Sequence, residues 1–555
     1  MAQMPRPSST GRLQVGAALL LIAAAGWACR TVGTSVPRLA PPSPEALGFL
    51  AEQVDPWVAR PRVIVMTDIA NEPDDQMSLV RLLVYSNQLD IEGLVATTST
   101  WMRARVRPDV VHLVLNAYAK VQPTLAQHAE GFPPADTLRA LVTTGPAAYG
   151  MAAVPMEGTD ISAGARQILD AADRDDDRPL WVLAWGGANT LAEALAAARR
   201  TRSPADLAAL VSRLRVYAIS DQDDAGPWLR REFPTLHYIG TPSTPDGEQY
   251  YLATWTGISG DRFYRNADGA DFTTFTDSWV ETHIRSKGPL GRLYIPPCCI
   301  HEGDTPSFLG LLDNGLASFM SPTYGGWGGR YVWRQPYGET RPSWTQGGDS
   351  YPGRDSSRDT VMGTDGRPHT SDQATIWRWR DAFQRDFAAR MDWTIKTPAE
   401  ANHNPIAGVN GDQDRAPLVI DTAPGVPVRL DASASSDPDG DRLRYSWVFY
   451  PEAGTGIPTQ PVAVRTPPPD DAGTNRDEGG IPSASADGPP QPPARLLLDR
   501  RDGPHVTATL QVPGTAHLIL VVDDDGTPSL TSYRRIILRS VARTPEATQY
   551  NRPRQ

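Results

Sequence analysis

The 555-residue chain is predicted to contain an α/β region, with a mainly parallel sheet and helices on both faces, followed by an all-β immunoglobulin-like sandwich. A chain of this length is expected to form more than one domain. From residue 62 to about residue 397, short β-branched runs alternate with helical patterns, as they do in βαβ units. After about residue 400 the helical pattern disappears, and short β runs are separated by turns rich in Asp, Gly and Pro.

Strands and helices alternate regularly in the α/β region, which predicts a parallel sheet with right-handed crossovers. The predicted elements are, in chain order, a strand at 63–67, a helix at 77–86, strands at 91–97 and 180–185, a helix at 189–200 and a strand at 215–220. In the sandwich, strands are predicted at 428–430, 443–450, 507–512, 517–522 and 532–538.

Shifts in composition predict the boundaries of the domains. Residues 1–36 are predicted to be an export signal, and the Pro-rich residues 37–56 a linker. The α/β domain is expected at 57–400 and the sandwich at 401–545. Within the sandwich, residues 466–494 are rich in Pro, Asp and Gly, which predicts a flexible insertion.

The N-terminus carries the features of an export signal. Arg6 and Arg12 form a short basic region, and the apolar stretch 15–25 is too short to span a bilayer comfortably. Small residues then flank Cys29, which makes this residue a candidate for lipidation. The protein is therefore expected to be exported, as a periplasmic, outer-membrane-anchored or extracellular protein, and to meet a membrane only through such a lipid.

Charge and cysteine content exclude two classes of protein. The net charge is −11 and no cluster of Lys and Arg appears, which argues against a nucleic-acid partner. Apart from Cys29, the chain has only the adjacent Cys298 and Cys299, which is no disulfide framework. In an oxidising compartment the pair forms either a strained vicinal disulfide or two buried thiols.

An acidic loop follows the first predicted strand. Asp68, Glu72, Asp74 and Asp75 lie within eight residues, and a bound cation relieves the repulsion between such crowded carboxylates. No Cys or His accompanies them, so Ca²⁺ fits this loop better than zinc. The alternative is a solvated acidic turn in which Asp74 caps the next helix, but capping explains only one of these residues.

The strand predicted at 215–220 also ends in carboxylates, those of Asp221, Asp223 and Asp224. Because parallel strands end on one side of a sheet, these residues are expected to share a cleft with the acidic loop. They are candidates for accepting hydrogen bonds from sugar hydroxyls. The alternative is a solvated loop in which one Asp caps the following helix.

Three aromatic residues are candidates for stacking on a pyranose or a base. Tyr324 and Trp327 lie in a loop of alternating glycines, and Trp101 lies just beyond the second strand. The alternative is that the glycine-rich loop folds back onto the core. In the sandwich, Asp437, Asp439 and Asp441 alternate like ligands of a small calcium loop. The distal Glu of an EF-hand is missing, so an Asp-rich β-turn is expected there.

The acidic loop resembles the N-terminal signature of nucleoside hydrolases, a strand ending in Asp followed by a turn, an Asp pair and a helix. The resemblance implies that Asp68, Asp74 and Asp75 bind Ca²⁺. Residues 183–195 are similar to the central strand, glycine turn and helix of that family, which implies a ligand role for the backbone carbonyl of Trp185. The stretch after Gly303 resembles a late helix start whose Asp, here Asp304, completes the metal shell.

The chain departs from the nucleoside hydrolase pattern at three places. Met66 stands where the family has a leading Asp, and the turn between Asp68 and Asp74 is two residues longer. Gly303 stands where the family has the His that protonates the leaving group of purine substrates. His301, two residues upstream, is the candidate that substitutes for it.

A narrower resemblance covers residues 60–540. The phrases at 219–228, 254–261 and 321–330 resemble exported nucleoside-hydrolase-like proteins that are described as cellulose-binding and carry an immunoglobulin-like C-terminal domain. Residues 435–441 and 525–535 extend this resemblance into the sandwich.

The resemblance implies two functions. The first is a calcium-dependent hydrolase of N-glycosyl or related sugar bonds, in which Asp68 takes a proton from the attacking water. The second is a non-catalytic protein that binds cellulose or another plant polysaccharide on the same scaffold. In both cases the ligand is a carbohydrate or a nucleoside.

Overall fold

The computed structural model describes residues 53–540, except for 159, 242–250, 252, 266–267, 299, 337–338, 340, 346–356 and 455–494. The predicted signal at 1–36, most of the linker at 37–56, Cys29, Cys299 and the insertion at 466–494 therefore lie outside the described residues. Cys298 is exposed, so it is not one of two buried thiols. Within the described part of the chain, no helix combines the length and the apolar character needed to cross a membrane.

The α/β region is organised around one large sheet. Its strands are, in chain order, β1 (Arg62–Thr67), β2 (Asp90–Ala96), β3 (Val142–Thr144), β4 (Leu180–Ala184), β5 (Leu214–Ala218), β6 (His237–Gly240), β7 (Val332–Arg334) and β8 (Ser343–Thr345). Their spatial order is β3-β2-β1-β4-β5-β6-β8-β7. Neighbouring strands pair in parallel except for the antiparallel pair of β7 and β8. The strand order reverses between β1 and β4, and open α/β sheets bind ligands at such switch points.

Helices cover both faces of this sheet. The α-helices of the described residues are α1 (Asp74–Val84), α2 (Pro108–His128), α3 (Ala135–Ala140), α4 (Ala163–Ala172), α5 (Asn189–Thr201), α6 (Pro204–Arg213), α7 (Ala225–Glu232), α8 (Gly260–Tyr264), α9 (Asp277–Val280), α10 (Gly288–Gly291), α11 (Pro306–Leu309), α12 (Ala374–Trp377) and α13 (Arg380–Asp392). Alternate residues of β1 point to opposite faces. Val63 and Val65 join the apolar core formed with α1, α2 and α13, whereas Ile64 and Met66 join the core formed with α4 to α7.

The C-terminal part of the chain forms antiparallel and mixed sheets. The remaining strands are β9 (Asp359–Met362), β10 (Pro368–Ser371), β11 (Leu418–Thr422), β12 (Pro427–Asp431), β13 (Arg444–Tyr450), β14 (Leu496–Leu498), β15 (His505–Leu510), β16 (Thr515–Asp523) and β17 (Thr531–Ser540). β9 and β10 pair with each other. One further sheet has the order β11-β17-β16-β13 and another the order β12-β15-β14. The apolar side chains between these two sheets form a core of their own.

The four-stranded C-terminal sheet packs directly on the α/β region. Arg535 of β17 is buried, and its guanidinium donates to the carbonyl oxygens of Leu316 (2.6 Å) and Gly325 (2.8 Å). Tyr450 of β13 donates to Asp359 Oδ2 at 2.6 Å. Aromatic side chains of this sheet belong to the same apolar core as α1, α2 and α13. The two parts therefore share one continuous interior.

The predicted fold class is confirmed. The predicted strands and helices all occur, and their ends move by at most three residues. Among the strands of the structure, β3, β6 to β11 and β14 were not predicted. Of these, β11 pairs with β17, which lies more than a hundred residues away. The domain boundaries at 57–400 and 401–545 stay predictions.

A buried ion pair fixes the loop that leads to Asp304. Arg81 on α1 donates to Glu302 Oε2 at 2.6 Å, and both side chains are fully buried. Arg81 also donates to the carbonyl oxygen of Phe383 at 2.6 Å, while the Tyr294 hydroxyl donates to Glu302 Oε1 at 2.6 Å. Glu302 has a φ of 51°, a conformation that a non-glycine residue keeps only when its surroundings hold it.

Breaking this ion pair is expected to destabilise the protein strongly. Arg81→Met leaves the Glu302 carboxylate buried without its cation, which costs about 3–5 kcal/mol. The free energy of unfolding measured in urea by circular dichroism checks this. The matched control is Arg385→Met on α13, which removes a solvent-exposed pair with Asp381 and is expected to cost less than about 1 kcal/mol. Equal losses in the two variants would contradict the role assigned to the buried pair.

Candidate functional site

Asp68 lies directly after β1, beside the glycine turn that follows β4. A Cβ atom built on Gly186 would lie 2.8 Å from Asp68 Oδ1, closer than real Cβ atoms approach. Gly186 is therefore needed for the turn after β4 to contact the carboxylate. This contact places Asp68 at the switch point of the sheet.

The start of α1 brings two more carboxylates to the same place. Asp74 and Asp75 are the first residues of this helix, where the helix dipole favours negative charge. The hydroxyl of Thr67, the last residue of β1, donates to Asp75 Oδ1. Asp75 also lies within hydrogen-bonding reach of Asp68. The end of β1 and the start of α1 thus hold three carboxylates side by side.

The fourth carboxylate comes from far along the chain. Asp74, Asp75 and Asp304 each offer a carboxylate oxygen, and these oxygens lie within 4.8 Å of one another. A Cβ atom on Gly303 would lie 2.7 Å from Asp74 Oδ2. The glycine that replaces the expected His therefore allows the loop to approach α1, and a His at this position would collide with Asp74.

Burial raises the pKa values of all four carboxyl groups, and the charges of neighbouring acidic residues add to the rise for Asp74, Asp75 and Asp304. The pKa of Asp74 rises to about 8, mainly through burial and then through the charges of Glu72 and Asp68. Burial also raises the pKa values of Asp75 and Asp304 well above the usual range, and the neighbouring aspartates add to the effect. The pKa of Asp68 is raised by burial as well, although a hydrogen bond from Ser99 opposes the shift.

The donor set fits a divalent cation that prefers oxygen. Asp74 Oδ1 and Asp304 Oδ2 are buried and have no hydrogen-bond partner among the described residues. Buried polar atoms are rarely left unpaired, so two such oxygens in one cluster call for a ligand. All the donors are hard oxygens without Cys or His, which suits Ca²⁺ and not zinc. Glu72 is exposed and contributes only its charge.

The carbonyl of Trp185 is engaged by a side chain that the sequence did not single out. The Gln222 amide donates to this carbonyl oxygen. The indole of Trp185 donates to Ser307 Oγ at 2.8 Å, and Ser307 in turn donates to the carbonyl oxygen of Asp304 at 2.6 Å. Trp185 therefore connects β4 to the loop of Asp304, and its role as a metal ligand stays a prediction.

The aspartates after β5 are used in internal hydrogen bonds. The carboxylate of Asp221 accepts hydrogen bonds from the two terminal guanidinium nitrogens of Arg230, at 2.8 and 2.7 Å. Asp223 is buried and accepts from two backbone N–H groups, those of Asn189 and Ala225, and burial raises its pKa to about 7. Both residues are thus engaged inside the protein and do not lie in a solvated loop.

Asp224 is likewise held by the backbone. Its Oδ1 accepts from the N–H of Met151 at 2.7 Å. Asp223 remains close to the switch point, because a Cβ atom on Gly187 would lie 2.4 Å from Asp223 Oδ2. A role for these three aspartates in holding sugar hydroxyls stays a prediction.

The aromatic candidates separate into one exposed and two buried residues. Tyr324 and Trp327 are buried, and the ring of Trp327 packs edge-on against Tyr533 of β17. The glycine-rich loop thus folds back onto the core, as the alternative for it predicted. Trp101 is 57% exposed. Ser99 Oγ accepts from the N–H of Trp101 at 3.1 Å and also hydrogen-bonds Asp68, so the backbone of Trp101 lies close to Asp68.

His301 lies in an aromatic environment. Its ring contacts Phe263, Phe275 and Tyr294, and both ring nitrogens are without hydrogen-bond partners among the described residues. Burial lowers its pKa to about 4, so the ring is neutral near pH 7. A neutral, buried imidazole is poorly suited to protonate a leaving group, although His301 lies two residues from Gly303.

Two family models match the chain. The model described as cellulose-binding Sde182, nucleoside hydrolase-like domain, matches residues 62–331. The model described as cellulose-binding protein Sde0182, C-terminal domain, matches residues 427–540. No curated protein matches the chain.

One solved structure is similar over most of the chain. It is a nucleoside hydrolase-related hypothetical protein from Saccharophagus degradans that is associated with carbohydrate metabolism. It shares 33% identity, with a TM-score of 0.67, over 87% of this chain and 100% of that chain. Two others are only weakly similar. The PKD domain from KIAA 1837 protein has 18% identity and a TM-score of 0.13, over 23% of this chain and 86% of that chain. The effector protein XOO4466 has 12% identity and a TM-score of 0.26, over 55% and 91%.

The raised pKa of Asp74 predicts a stability that depends on both pH and cation. Without a cation, the folded state holds a proton on Asp74 up to about pH 8, whereas an ordinary Asp loses its proton near 3.8. The folded state then binds more protons than the unfolded state, so stability falls by several kcal/mol as the pH rises from about 4 to about 8. A bound cation takes the place of the proton and removes this loss.

Thermal unfolding in EDTA and in Ca²⁺ at pH 5 and pH 8 measures the effect. We expect the rise in Tm produced by Ca²⁺ to be larger at pH 8 than at pH 5. Asp74→Asn is expected to reduce both the fall with pH and the response to Ca²⁺, whereas the exposed Asp136→Asn leaves them unchanged. A Tm that is the same in EDTA and Ca²⁺ at pH 8 would rule out cation binding at this cluster.

Proposed function

Because the chain belongs to the family of cellulose-binding Sde182 proteins with a nucleoside hydrolase-like domain, we propose that it is an exported, calcium-dependent hydrolase of a glycosyl bond. The observation that carries this proposal is the buried group of Asp74, Asp75 and Asp304 beside Asp68, with two carboxylate oxygens that lack a partner among the described residues. A protein that only binds a polysaccharide has little need to bury four carboxylates at a switch point, because burying charged groups is unfavourable.

The proposed cation is held by the carboxylates of Asp68, Asp74, Asp75 and Asp304, with the carbonyl of Trp185 as a further ligand. When bound, it would orient the hydroxyls of the sugar and lower the pKa of a water molecule. Asp68 acts as the general base that takes the proton of the attacking water. The hydrogen bond with Ser99 orients the carboxylate of Asp68 for this role.

The remaining negative charge of the cluster suits the transition state of glycosyl cleavage. Cleavage at an anomeric carbon passes through an oxocarbenium-like state with positive charge on the sugar ring. Fixed carboxylates next to this ring stabilise that charge without reorganising during the reaction. Trp101, whose backbone is linked to Asp68 through Ser99, is exposed and offers an aromatic face on which a sugar ring can stack.

The leaving group is expected to differ from a purine. Gly303 brings no acid to the position of the family's His, and the contact with Asp74 excludes a side chain there. His301 is neutral and enclosed by aromatic rings. The proposed substrate is therefore a glycoside whose leaving group needs little help from a protein acid, or one protonated by a different residue.

The second candidate function is carbohydrate binding without cleavage. It is favoured by the lack of a leaving-group acid, because Gly303 has no side chain and the buried His301 is neutral. The description of the matching family as cellulose-binding supports it equally. On this hypothesis, the aspartate cluster holds a structural cation, and Trp101 contacts the polysaccharide.

Activity separates the two candidates. Release of reducing sugar or free base is measured from a panel of nucleosides and plant-wall oligosaccharides in the presence of Ca²⁺. Asp68→Asn is expected to lower kcat by at least about 100-fold, the usual contribution of a general base, while the exposed Asp136→Asn retains full activity. If the wild type binds polysaccharide and cleaves nothing in the panel, the hydrolase proposal is rejected and the binding function remains.

Trp101 is expected to carry part of the sugar affinity under either function. Trp101→Ala should weaken binding of cello-oligosaccharides roughly tenfold, which corresponds to the loss of about 1.4 kcal/mol of stacking and apolar contact. Isothermal titration calorimetry measures the change. Leu497→Ala, at another exposed apolar residue, serves as the control with unchanged affinity. Unchanged affinity in Trp101→Ala would place the sugar elsewhere on the surface.

A further inference from the structure

Three segments of the chain meet at one end of the C-terminal sheets. Asn402 lies after α13, Asp437 and Asp441 lie between β12 and β13, and Asp524 follows β16. The Asn402 amide donates to Asp524 Oδ1 at 3.1 Å. A Cβ atom on Gly526 would lie 2.2 Å from Asn402 Nδ2 and 2.5 Å from Asp441 Oδ2, so both side chains contact the same glycine.

Three buried oxygens at this junction have no hydrogen-bond partner among the described residues. They are Asn402 Oδ1, Asp437 Oδ2 and Asp524 Oδ2. Asp524 is 0% exposed and Asn402 is 7% exposed. Buried acceptors are rarely left unpaired, so three in one place indicate a missing ligand.

The other oxygens of these carboxylates are already engaged, which orients the unpaired ones. Asp437 Oδ1 accepts from the N–H groups of Asp439 (2.9 Å) and Asp441 (3.0 Å). Asp524 Oδ1 accepts from the N–H groups of Gly526 (3.0 Å) and Leu530 (2.9 Å). The loops are therefore held in shape by one oxygen of each carboxylate, and the second oxygen is left for a ligand.

The charges of these groups act on one another. Burial raises the pKa of Asp524, and the charge of Asp437 adds to the shift. The pKa of Asp441 is also raised, first by burial and then by the charge of Asp437. The neighbouring acidic residues are occupied, since Asp439 holds His403 and Asp525 holds Arg442.

We propose that Asn402, Asp437 and Asp524 bind a second divalent cation, with Ca²⁺ as the ion that fits best, while Asp441 adds negative charge beside them. Two carboxylates and one amide oxygen supply hard donors from irregular loops, a geometry that Ca²⁺ accepts and Mg²⁺ does not. Backbone carbonyls or water complete the shell. The sequence predicted only a turn here because the distal Glu of an EF-hand is missing. In the structure, Asp524 and Asn402 lie on other segments of the chain and are available as the further ligands.

The cation would fasten the C-terminal sheets to the α/β region. The carbonyl of Asn402 accepts from the indole of Trp393, directly after α13, at 2.9 Å. The next residue, His403, lies 3.0 Å from the ring of His128 at the end of α2. A cation held by Asn402 and by two loops of the sandwich therefore immobilises the segment that joins the two parts. This site is independent of the proposed hydrolase function.

Counting bound ions tests the proposal. Metal-free protein is titrated with Ca²⁺ by isothermal titration calorimetry, with and without Asp524→Asn. An Asn at this position keeps an oxygen for the existing hydrogen bonds but loses the charge. The expected result is one bound Ca²⁺ fewer per chain, or an affinity at least tenfold lower for one ion. The adjacent Asp525→Asn is the matched control and is expected to bind as the wild type does.

The aspartate cluster of β1 must be kept apart from this site in the test. The same pair of proteins is therefore also compared in an Asp74→Asn, Asp304→Asn background, in which the proposed second site is the one left intact. There, Ca²⁺ is expected to raise Tm, and Asp524→Asn to abolish the rise. Terbium excited through tryptophan should luminesce in this background, and Trp393→Phe should weaken the emission. Equal Ca²⁺ binding with and without Asp524→Asn would overturn the proposal.

Discussion

The arrangement of the α/β region depends on the repulsion between the carboxylates buried at the switch point. Two charges 4.8 Å apart repel by about 3 kcal/mol at an effective dielectric constant of about 20. Three or four such groups can all stay ionised only if a cation neutralises them. Without a cation, some of them must bind protons. The protein nevertheless brings them together, with Gly186 and Gly303 at the two closest approaches. The cluster therefore lowers the stability of the folded protein, as functional sites commonly do.

Rigid neighbouring elements hold the mutually repelling carboxylates in place. Asp68 follows a strand that is paired on both sides, and Asp74 and Asp75 begin a buried helix. Asp304 lies on a loop, which by itself would move away from the other carboxylates. Arg81, on the same helix as Asp74 and Asp75, holds that loop through Glu302. One buried ion pair thus fixes the fourth carboxylate, that of Asp304, relative to α1.

The C-terminal sheets form part of the same interior and not a tethered module. Arg535 closes the loop of residues 315–325 by bonding two of its carbonyl oxygens, and Gly325 leaves room for the Tyr450 hydroxyl, 2.3 Å from where a Cβ would stand. Trp327 packs against Tyr533 in this contact. The glycines of that loop are therefore explained by the close approach of a sheet, which makes a sugar-stacking role for Tyr324 and Trp327 unnecessary.

The sequence predicted what is local and missed what depends on distant contacts. The strand ending in Asp68 and the helix starting at Asp74 follow from patterns within fifteen residues. Asp304 was found only through the resemblance, because no spacing rule joins it to Asp74. Glu302 lies 221 residues from Arg81, and no sequence signal links them. The burial of Tyr324 and Trp327 also depends on distant contacts, since their partners belong to β16 and β17 and only the fold brings those strands to them.

The same separation in sequence explains why an acidic turn in the sandwich gave little indication of a cation. The spacing of Asp437 and Asp441 resembles part of a calcium-binding loop. The further ligands of the proposed site, Asp524 and Asn402, lie on other segments. A local motif predicts a metal site only when the chain carries all ligands in one loop, as an EF-hand does. In both acidic clusters of this protein, at least one proposed ligand comes from a distant segment. Unpaired buried oxygens therefore indicate such sites better than the spacing of carboxylates does.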